Sequence, residues 1–488
     1  MKAACQQRVQ FIRSVSARSW GGDRRTLIKL YRATVLEKLL YSAPILSAME
    51  AKTLKILEIV HNAGLRAIAG AFRTSPILSL QVETGIPSLR TLIDQRTTLY
   101  AVRRTAQNHA LQDLDASDIT TTDDSSNSSG CEDSSDERWG ERPGNEPNSF
   151  LARGQKLLAE LDIQLPRVTV FKFPESAPWL RLKLKVDKSL HNKLLQGATP
   201  NHLKQSFTEI RQSKYRIHRA IFTDGSKQGT KCGFGMVSED YSFRKRLDDT
   251  CSIYAAESGA VEYALTWIAN QRVSRAYLLC TDSMSVVTSL EKCKIKSKWK
   301  DNIQKLYNQI VEMGSEVTFC WVPGHIGIPG NERADRDAKR ALELAAERCQ
   351  SVDFKEIRKI IKFQIICRWQ ATWSQTCNNK LREVKNTVLP FKEVFLGRRR
   401  DDVILARLRI GHTLLTHAYL LNKVDRPLCL RCNEPQTVRH ILVDCDQLQN
   451  ERRDRGIPAN LREALADDKE MAEKVIEFLK SIHLYDQI

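Results

Sequence analysis

Side chains recur three and four apart through the first hundred residues of the chain. Leu27, Leu30, Tyr31, Thr34, Val35 and Lys38 trace one such stripe, and Leu54, Leu57, Val60, Leu65 and Ile68 trace another. That is the spacing of amphipathic helices. Pro44, Gly70, Pro76 and Pro87 punctuate them, so residues 1–110 read as an all-α region. Residues 150–214 form a mixed connecting segment: Leu151 to Leu161 keeps helical spacing, whereas Phe171, Phe173, Pro174, Pro178 and Trp179 read as extended chain. The period then changes. Ala220-Ile221-Phe222-Thr223 and the run from Ala276 to Thr281 are short and apolar, as strands are. Between them Tyr254, Val261, Leu265 and Ile268 mark one face of a helix, and Asp301 to Met313 predicts another.

One stretch has no such pattern. Residues 111–149 hold eleven Asp or Glu against two Arg, with a serine-rich run from Ser125 to Ser135. So little apolar surface cannot offset the cost of ordering a chain, and the stretch reads as a disordered linker. The whole chain of 488 residues carries a net charge of +18, so the parts outside this linker are more basic still. An excess of that size points to nucleic acid or an anionic membrane surface as partner. Hydrophobic residues make up 42% of the chain, enough for buried cores in two to four domains. No run is long and apolar enough to span a membrane, and Met1-Lys2-Ala3-Ala4-Cys5 opens no signal peptide. The thirteen cysteines, odd in number and scattered, suit a reducing compartment, so the expected location is nuclear or cytoplasmic and not secreted.

Candidate chemistry begins at Asp224. It follows the strand-like run and precedes Gly225 and Ser226, which read as a break in the ladder; taken alone, the tripeptide reads first as a hairpin turn. Three further acids follow. Glu257 falls on the apolar face of its helix, a turn above Val261, while Glu262 points elsewhere. A carboxylate there needs a partner, because an unpaired buried charge is costly. Asp282 ends the strand Ala276–Thr281 and precedes Ser283, so a helix-capping role competes with a ligand role. Asp335 shares a helix face with Asn331 behind Pro329-Gly330, and a loop with Gly324 and Gly327 carries His325 just before it.

Thr223-Asp224-Gly225-Ser226, Ala256-Glu257, Thr281-Asp282-Ser283 and Val322-Pro323-Gly324-His325 with Gly330-Asn331-Glu332-Arg333-Ala334-Asp335 resemble the type 1 ribonuclease H family in order and spacing, over residues 215–346. The resemblance implies an α/β fold: a five-stranded mixed sheet, three antiparallel strands then two parallel ones, with helices on both faces. It implies an endoribonuclease that cuts the RNA strand of RNA–DNA hybrids and leaves a 5′-phosphate and a 3′-hydroxyl. Asp224, Glu257, Asp282 and Asp335 would hold two Mg²⁺ ions, with Mn²⁺ as a substitute. Hard oxygen ligands suit such ions, and a pair can clamp the attacking and leaving oxygens of a phosphodiester. His325, of the side-chain type that titrates near neutral pH, would assist proton transfer or product release. The same resemblance implies nucleic-acid contacts at Gly225, Ser226 and Asn331.

Five lysines alternate from Lys292 to Lys300. They read either as a solvated edge or, by the resemblance, as a short basic handle in which Lys294, Lys296 and Lys298 meet phosphates and Trp299 stacks. Residues 350–488 form a mostly helical tail. Within 429–445, Cys429, Cys432, His440 and Cys445 offer three thiolates and an imidazole, a set suited to a closed tetrahedral Zn²⁺ site. Arg407-Leu408-Arg409-Ile410-Gly411-His412-Thr413 before that set resembles the tail of some non-LTR retrotransposon proteins. Trp20-Gly21, Leu27 to Tyr31, Leu40 to Pro44, His61 to Arg66 and Arg73 to Pro76 resemble the thumb and connection region after the polymerase core in such elements' reverse transcriptases. No Tyr-x-Asp-Asp occurs, so the chain is no polymerase by itself and looks like the C-terminal part of a longer element protein. A non-catalytic nucleic-acid-binding remnant is the alternative to the nuclease.

Overall fold

The structure, a computed structural model, describes residues 1–118, 150–175, 177–271, 274–292, 294–345, 351–391, 396–430 and 432–488. The expected linker falls mostly outside them. Its first residues close the helix Leu89–Asp118, and 119–149 lie outside the described residues. Two compact units divide the chain: Met1–Ala101, Cys131–Ile163 and Ile361–Ile488 form one, and Val102–Gly130 with Gln164–Ile360 form the other.

The second unit is built on a sheet. Its strands are β1 (Val168–Thr169), β2 (Lys185–Asp187), β3 (Arg219–Gln228), β4 (Lys231–Val237), β5 (Ser242–Leu247), β6 (Ala276–Thr281), β7 (Glu316–Trp321) and β8 (Val352–Asp353). The main sheet has six strands in the order β2-β7-β6-β3-β4-β5. β3, β4 and β5 are antiparallel neighbours, whereas β6 joins β3, β7 joins β6 and β2 joins β7 in parallel. The expected five strands are therefore present, with β2 added at the edge from the connecting segment. Three residues give too short an alternation to read as a strand. β1 and β8 make a separate parallel pair.

Alternation assigns the faces. On β6, Tyr277 and Leu279 face one core with Val317 and Phe319 of β7, while Leu278 and Cys280 face another with Cys320. The first core is closed by α1 (Ile253–Ala269), α2 (Met284–Glu291) and α3 (Lys298–Glu312) through Val261, Leu265, Ile268, Val286, Ile303 and Tyr307. The second takes Leu190, Phe207 and Tyr215 from the chain ahead of β3. A further helix, α4 (Pro329–Ala341), lies on β3, β4 and β5. It comes that close because Gly235 has no side chain: a Cβ there would sit 2.7 Å from the Ala334 carbonyl oxygen.

The first unit is helical, and its two halves come from opposite ends of the chain. Leu27, Tyr31, Leu54, Leu57, Leu65 and Ile68 pack with Ala406 and Ile410 in one core. Val82 joins Trp373, Ile404, Leu405 and Leu408 in a second. The helix Arg399–Ile410 lies between these cores, buried from Asp401 to Ile410. The N-terminal and C-terminal regions, which read as separate in the sequence, thus fold as one body. Arg399, in the run Arg398-Arg399-Arg400 that reads by default as a surface cluster, is buried and donates to the carbonyls of Ile68 at 2.7 Å and Ala67 at 2.8 Å. It satisfies the end of the helix Ala51–Ala69, where orphan carbonyls and the helix dipole favour a cation.

Among the described residues no helix is long and apolar enough to cross a membrane. Buried charge in the first unit centres on Glu83. Its Oε1 lies 2.6 Å from Arg24 and 3.9 Å from Arg409, and the Glu83 and Arg409 side chains are almost wholly buried. Arg409 also donates to the Leu465 carbonyl at 3.0 Å and the Ala466 carbonyl at 2.6 Å. Removing Glu83 takes from Arg409 its strongest countercharge, ahead of Asp467 and Asp402, and breaking a buried pair in this way costs about 3–5 kcal/mol. Glu83→Ala should therefore lower the unfolding free energy of the first unit by that amount in a urea titration. A loss under about 1 kcal/mol would contradict the assignment.

Candidate active site

The sheet register brings the first two acids together. Thr223 of β3 pairs with Thr281 of β6, so Asp224 and Asp282 stand side by side one residue further on. β3 does not end at Asp224, as the sequence suggested. It continues through Gly225 and Ser226 to Gln228, paired to β4 throughout, and the hairpin turn falls at Gly229 and Thr230. Gly225 serves close approach instead. A Cβ there would lie 2.7 Å from the Glu257 backbone nitrogen, so only glycine lets the first turns of α1 settle on β3. α1 is started by Ser252, whose side chain accepts from the Ala255 N–H. One carboxylate oxygen from each of Asp224, Glu257 and Asp282 then lies within 4.8 Å of the others.

Asp335 approaches from α4, and its charge acts on both Asp224 and Asp282. Asn331, a turn earlier, donates from Nδ2 to Asp282 Oδ2 at 3.3 Å. Asp282 is free to face the site because it is no cap: the N-cap of α2 is Ser283, and it makes no side-chain capping bond. Trp321 Nε1 holds the Asp282 carbonyl at 3.0 Å. Glu262 faces away from the acids, as expected, and accepts from Asn302 at 2.7 Å.

Crowding and burial set the protonation. Burial, then the charges of Asp282 and Asp335, push Asp224 up to about 8. Burial, then Asp224 and Asp282, push Glu257 up to about 9. Burial also raises Asp282, against the hydrogen bond from Asn331. Glu257 Oε2 and Asn331 Oδ1 are buried and have no hydrogen-bond partner. Orphan oxygens inside an all-oxygen donor set fit a hard divalent cation, which would satisfy them and offset the repulsion.

His325 sits on the loop before α4, exposed, with a left-handed backbone (φ 56°). Its ligating nitrogen and one oxygen each of Glu332 and Asp335 lie within 4.8 Å of one another. Glu332 was not among the expected site residues. Its signal was positional, three residues before Asp335 on the same helix face. Lys339 was also missed; its Nζ pairs with Asp335 at 2.7 Å, one turn on.

The lysines stand apart from the acids. Lys294 and Lys296 are exposed. Lys298 pairs with Glu175 at 2.7 Å. Lys300 is buried and donates to the carbonyls of Ser289 and Lys292. Trp299 is half-buried, edge-on to Tyr254 with centroids 5.4 Å apart, so its ring belongs to the core packing and does not stand free as a stacking surface.

In the first unit, one ligand atom each from Cys429, Cys432, His440 and Cys445 lies within 4.8 Å of the rest. Cys432 Sγ is 3.2 Å from His440 Nε2. A tight turn presents the first two: the Asn433 N–H donates to the Cys429 carbonyl at 2.8 Å, and Leu428 bridges to Pro435. Burial pushes the Cys445 thiol up. Three thiols and an imidazole at this separation fit Zn²⁺. His417 is held by Thr416 at 2.7 Å and Lys380 at 2.8 Å and stacks on His412 at 3.9 Å; neither histidine belongs to this set.

Residues 217–343 match the RNase H family. A ribonuclease H of Rippkaea orientalis is 31% identical over 138 residues, covering 25% of this chain and 84% of that protein. A ribonuclease HI of Pseudomonas putida is 37% identical over 83 residues, 14% of this chain and 56% of that protein. The chain thus spans little more than half the length of the second relative. Among solved structures, LC11-RNase H1 in complex with an RNA/DNA hybrid is similar at 20% identity and a TM-score of 0.22, covering 25% of this chain and 96% of that one.

The raised carboxyls predict a pH dependence. A carboxyl whose folded value lies above its unfolded one favours the fold at low pH. That contribution is lost as pH rises from the ordinary carboxylate range, about 4, towards about 8 and 9 for Asp224 and Glu257. Metal-free protein should lose stability between pH 5 and 9 from these groups. Asp224→Asn should raise the metal-free melting temperature at pH 8 by a few degrees, worth about 1 kcal/mol or more. Mg²⁺ should stabilise the unsubstituted protein more at pH 8 than at pH 6. Melting curves that are identical for the two proteins at pH 8, with and without Mg²⁺, would contradict the crowded-acid account.

Proposed function

Because this chain belongs to the ribonuclease H family of enzymes, we propose that its second unit cuts the RNA strand of RNA–DNA hybrids by hydrolysis at the cup formed by Asp224, Glu257, Asp282 and Asp335. The observation that carries this reading is the convergence of three carboxyls, from two strand positions and a helix, each raised by burial, with Asp335 near enough for its charge to act on Asp224 and Asp282. A structural cluster of that kind costs stability, and its return is cation binding. The four acids would hold two Mg²⁺ ions, or Mn²⁺ in their place. Bound there, such ions supply charge neutralisation at the attacking and leaving oxygens and favour hydroxide over water.

The protein's own groups do the rest. Asn331 fixes the Asp282 carboxylate through Oδ2, and Lys339 holds Asp335 through Oδ2. In hydrolysis a water oxygen bonds to phosphorus and the bond from phosphorus to the 3′ oxygen breaks, leaving a 5′-phosphate and a 3′-hydroxyl. His325, solvent-exposed and against Glu332 and Asp335, would take the proton from the attacking water at a ring nitrogen and pass it to solvent. Its exposed loop position suits a carrier better than a fixed base. Gly225 and Ser226 would meet the substrate on the β3 side of the cup; Lys294, Lys296 and Lys298 would contact phosphates without reading sequence.

We further propose that Cys429, Cys432, His440 and Cys445 hold one structural Zn²⁺, and that the whole chain is part of a non-LTR retrotransposon protein. The run of helical region, nuclease and cysteine-histidine cluster supports the latter.

Purified full chain with end-labelled RNA–DNA hybrid and Mg²⁺ should cleave the RNA strand and leave the DNA intact. Asp224→Asn should lower the rate by about a thousandfold or more, the scale of losing a central charge-stabilising group. Cleavage at the unsubstituted rate in that variant would reject the site, and absence of cleavage in the unsubstituted protein would favour the non-catalytic binding remnant. Elemental analysis after desalting should give one zinc per chain, lost in Cys432→Ser; zinc retained in full by that variant would reject the ligand set.

A further inference from the structure

The segment ahead of β2 presents apolar side chains to water in an ordered way. Phe173 is 82% exposed, Trp179 83% and Leu180 63%. Among the described residues of the second unit, Phe173 and Trp179 are the two large aromatic side chains left mostly in solvent. Loose chain often exposes such residues, but this strap is pinned. Along one face of α3, Asp301 accepts from the Glu175 N–H at 3.2 Å, and Gln304 donates to the Leu182 carbonyl at 2.8 Å. Asn308 donates to the Leu180 carbonyl at 2.8 Å and accepts from the Leu182 N–H at 3.4 Å. Asp301 and Gln304 are themselves buried, at 0% and 6% exposure. Buried polar groups are thus committed to fixing the backbone of a segment whose own rings stay outside.

The strap adjoins the lysine run. Glu175 binds Lys298 at 2.7 Å and also Lys305, so the strap meets the end of the run that carries the exposed Lys292, Lys294 and Lys296. Exposed rings on a fixed backbone beside free cations form the pairing that single-stranded nucleic acid uses: bases stack on the rings and phosphates meet the lysines. A preordered segment loses little entropy on binding. We infer that Phe173 and Trp179 form a platform for single-stranded nucleic acid running on from the hybrid, gripping the overhang beside the duplex being cut. The inference rests on the hybrid-cleaving reading for its direction but concerns a different surface.

The test compares two hybrids with the full chain carrying Asp224→Asn, so that binding is read without cleavage. One hybrid is blunt and the other has a ten-nucleotide single-stranded DNA overhang. The overhang should tighten binding at least about fivefold. The double variant Phe173→Ala and Trp179→Ala should erase that gain and leave blunt-hybrid affinity unchanged, while Phe173→Tyr with Trp179→Phe should restore it. Equal affinity for the two hybrids overturns the inference, as does equal loss on both in the alanine variant. Concentration-dependent self-association abolished by the alanine variant would overturn it too, in favour of a protein partner. Cleavage of the blunt hybrid by the otherwise unsubstituted chain carrying the two alanines should stay normal. Loss of that cleavage with normal overhang binding would likewise reject the platform, whereas failure of the nuclease reading itself appears as no cleavage in the unsubstituted protein.

Discussion

Everything at the cup depends on like charges being held where they repel. Three carboxyl oxygens within 4.8 Å of one another, in a place where water is largely excluded, cannot all ionise at little cost. The fold holds them there with elements that have no freedom to relax. Asp224 is held by its pairing with Gly235 of β4 on one side and stands one residue beyond the last pair with β6 on the other. Asp282 is fixed by the same parallel register, Glu257 by a helix pressed on Gly225, and Asp335 by a helix pressed on Gly235. Rigid backbone converts repulsion into raised proton affinity instead of displacement. That stored unfavourable energy is what a divalent cation would release.

The same logic explains which small residues matter. At Gly225 and Gly235 the absence of a side chain sets the depth to which α1 and α4 settle, and with it the position of two acids. The chemistry of the cup is therefore written partly in residues that touch nothing reactive. Asn331 belongs with them, since its amide orients Asp282 while its own oxygen stays unpartnered. A cation-bound water is a natural partner for that oxygen.

Much of the second unit was legible in the sequence. Short apolar runs and near-four spacing separated strands from helices between 219 and 341, and acids followed apolar runs or sat on a buried helix face. Other parts were not. β2 is three residues long, and its pairing with β7 depends on a partner more than a hundred residues away. The continuation of β3 past Asp224 was hidden by Gly225, which reads locally as a break and acts as a contact. Glu332 and Lys339 join the site by helical spacing alone, among charges that look like a solvated face. Trp299 carried the composition of a stacking residue, but only packing against Tyr254 decides that its ring is committed elsewhere. In the first unit the helices were evident, yet their union across the chain was not, because a hydrophobic stripe does not name the stripe it meets. The burial of Arg399, Arg407 and Arg409 was invisible for the same reason: arginine-rich helices look like surface until partners at distant positions are known.

The central claim is that buried acids hold protons which a cation must displace. Titration calorimetry of Mg²⁺ binding at pH 7 in buffers of differing ionisation enthalpy measures those protons directly. The account predicts a net release of one or more protons per chain at pH 7, falling towards zero near pH 10 as Asp224 and Glu257 ionise beforehand. Binding at pH 7 with no proton release would contradict it.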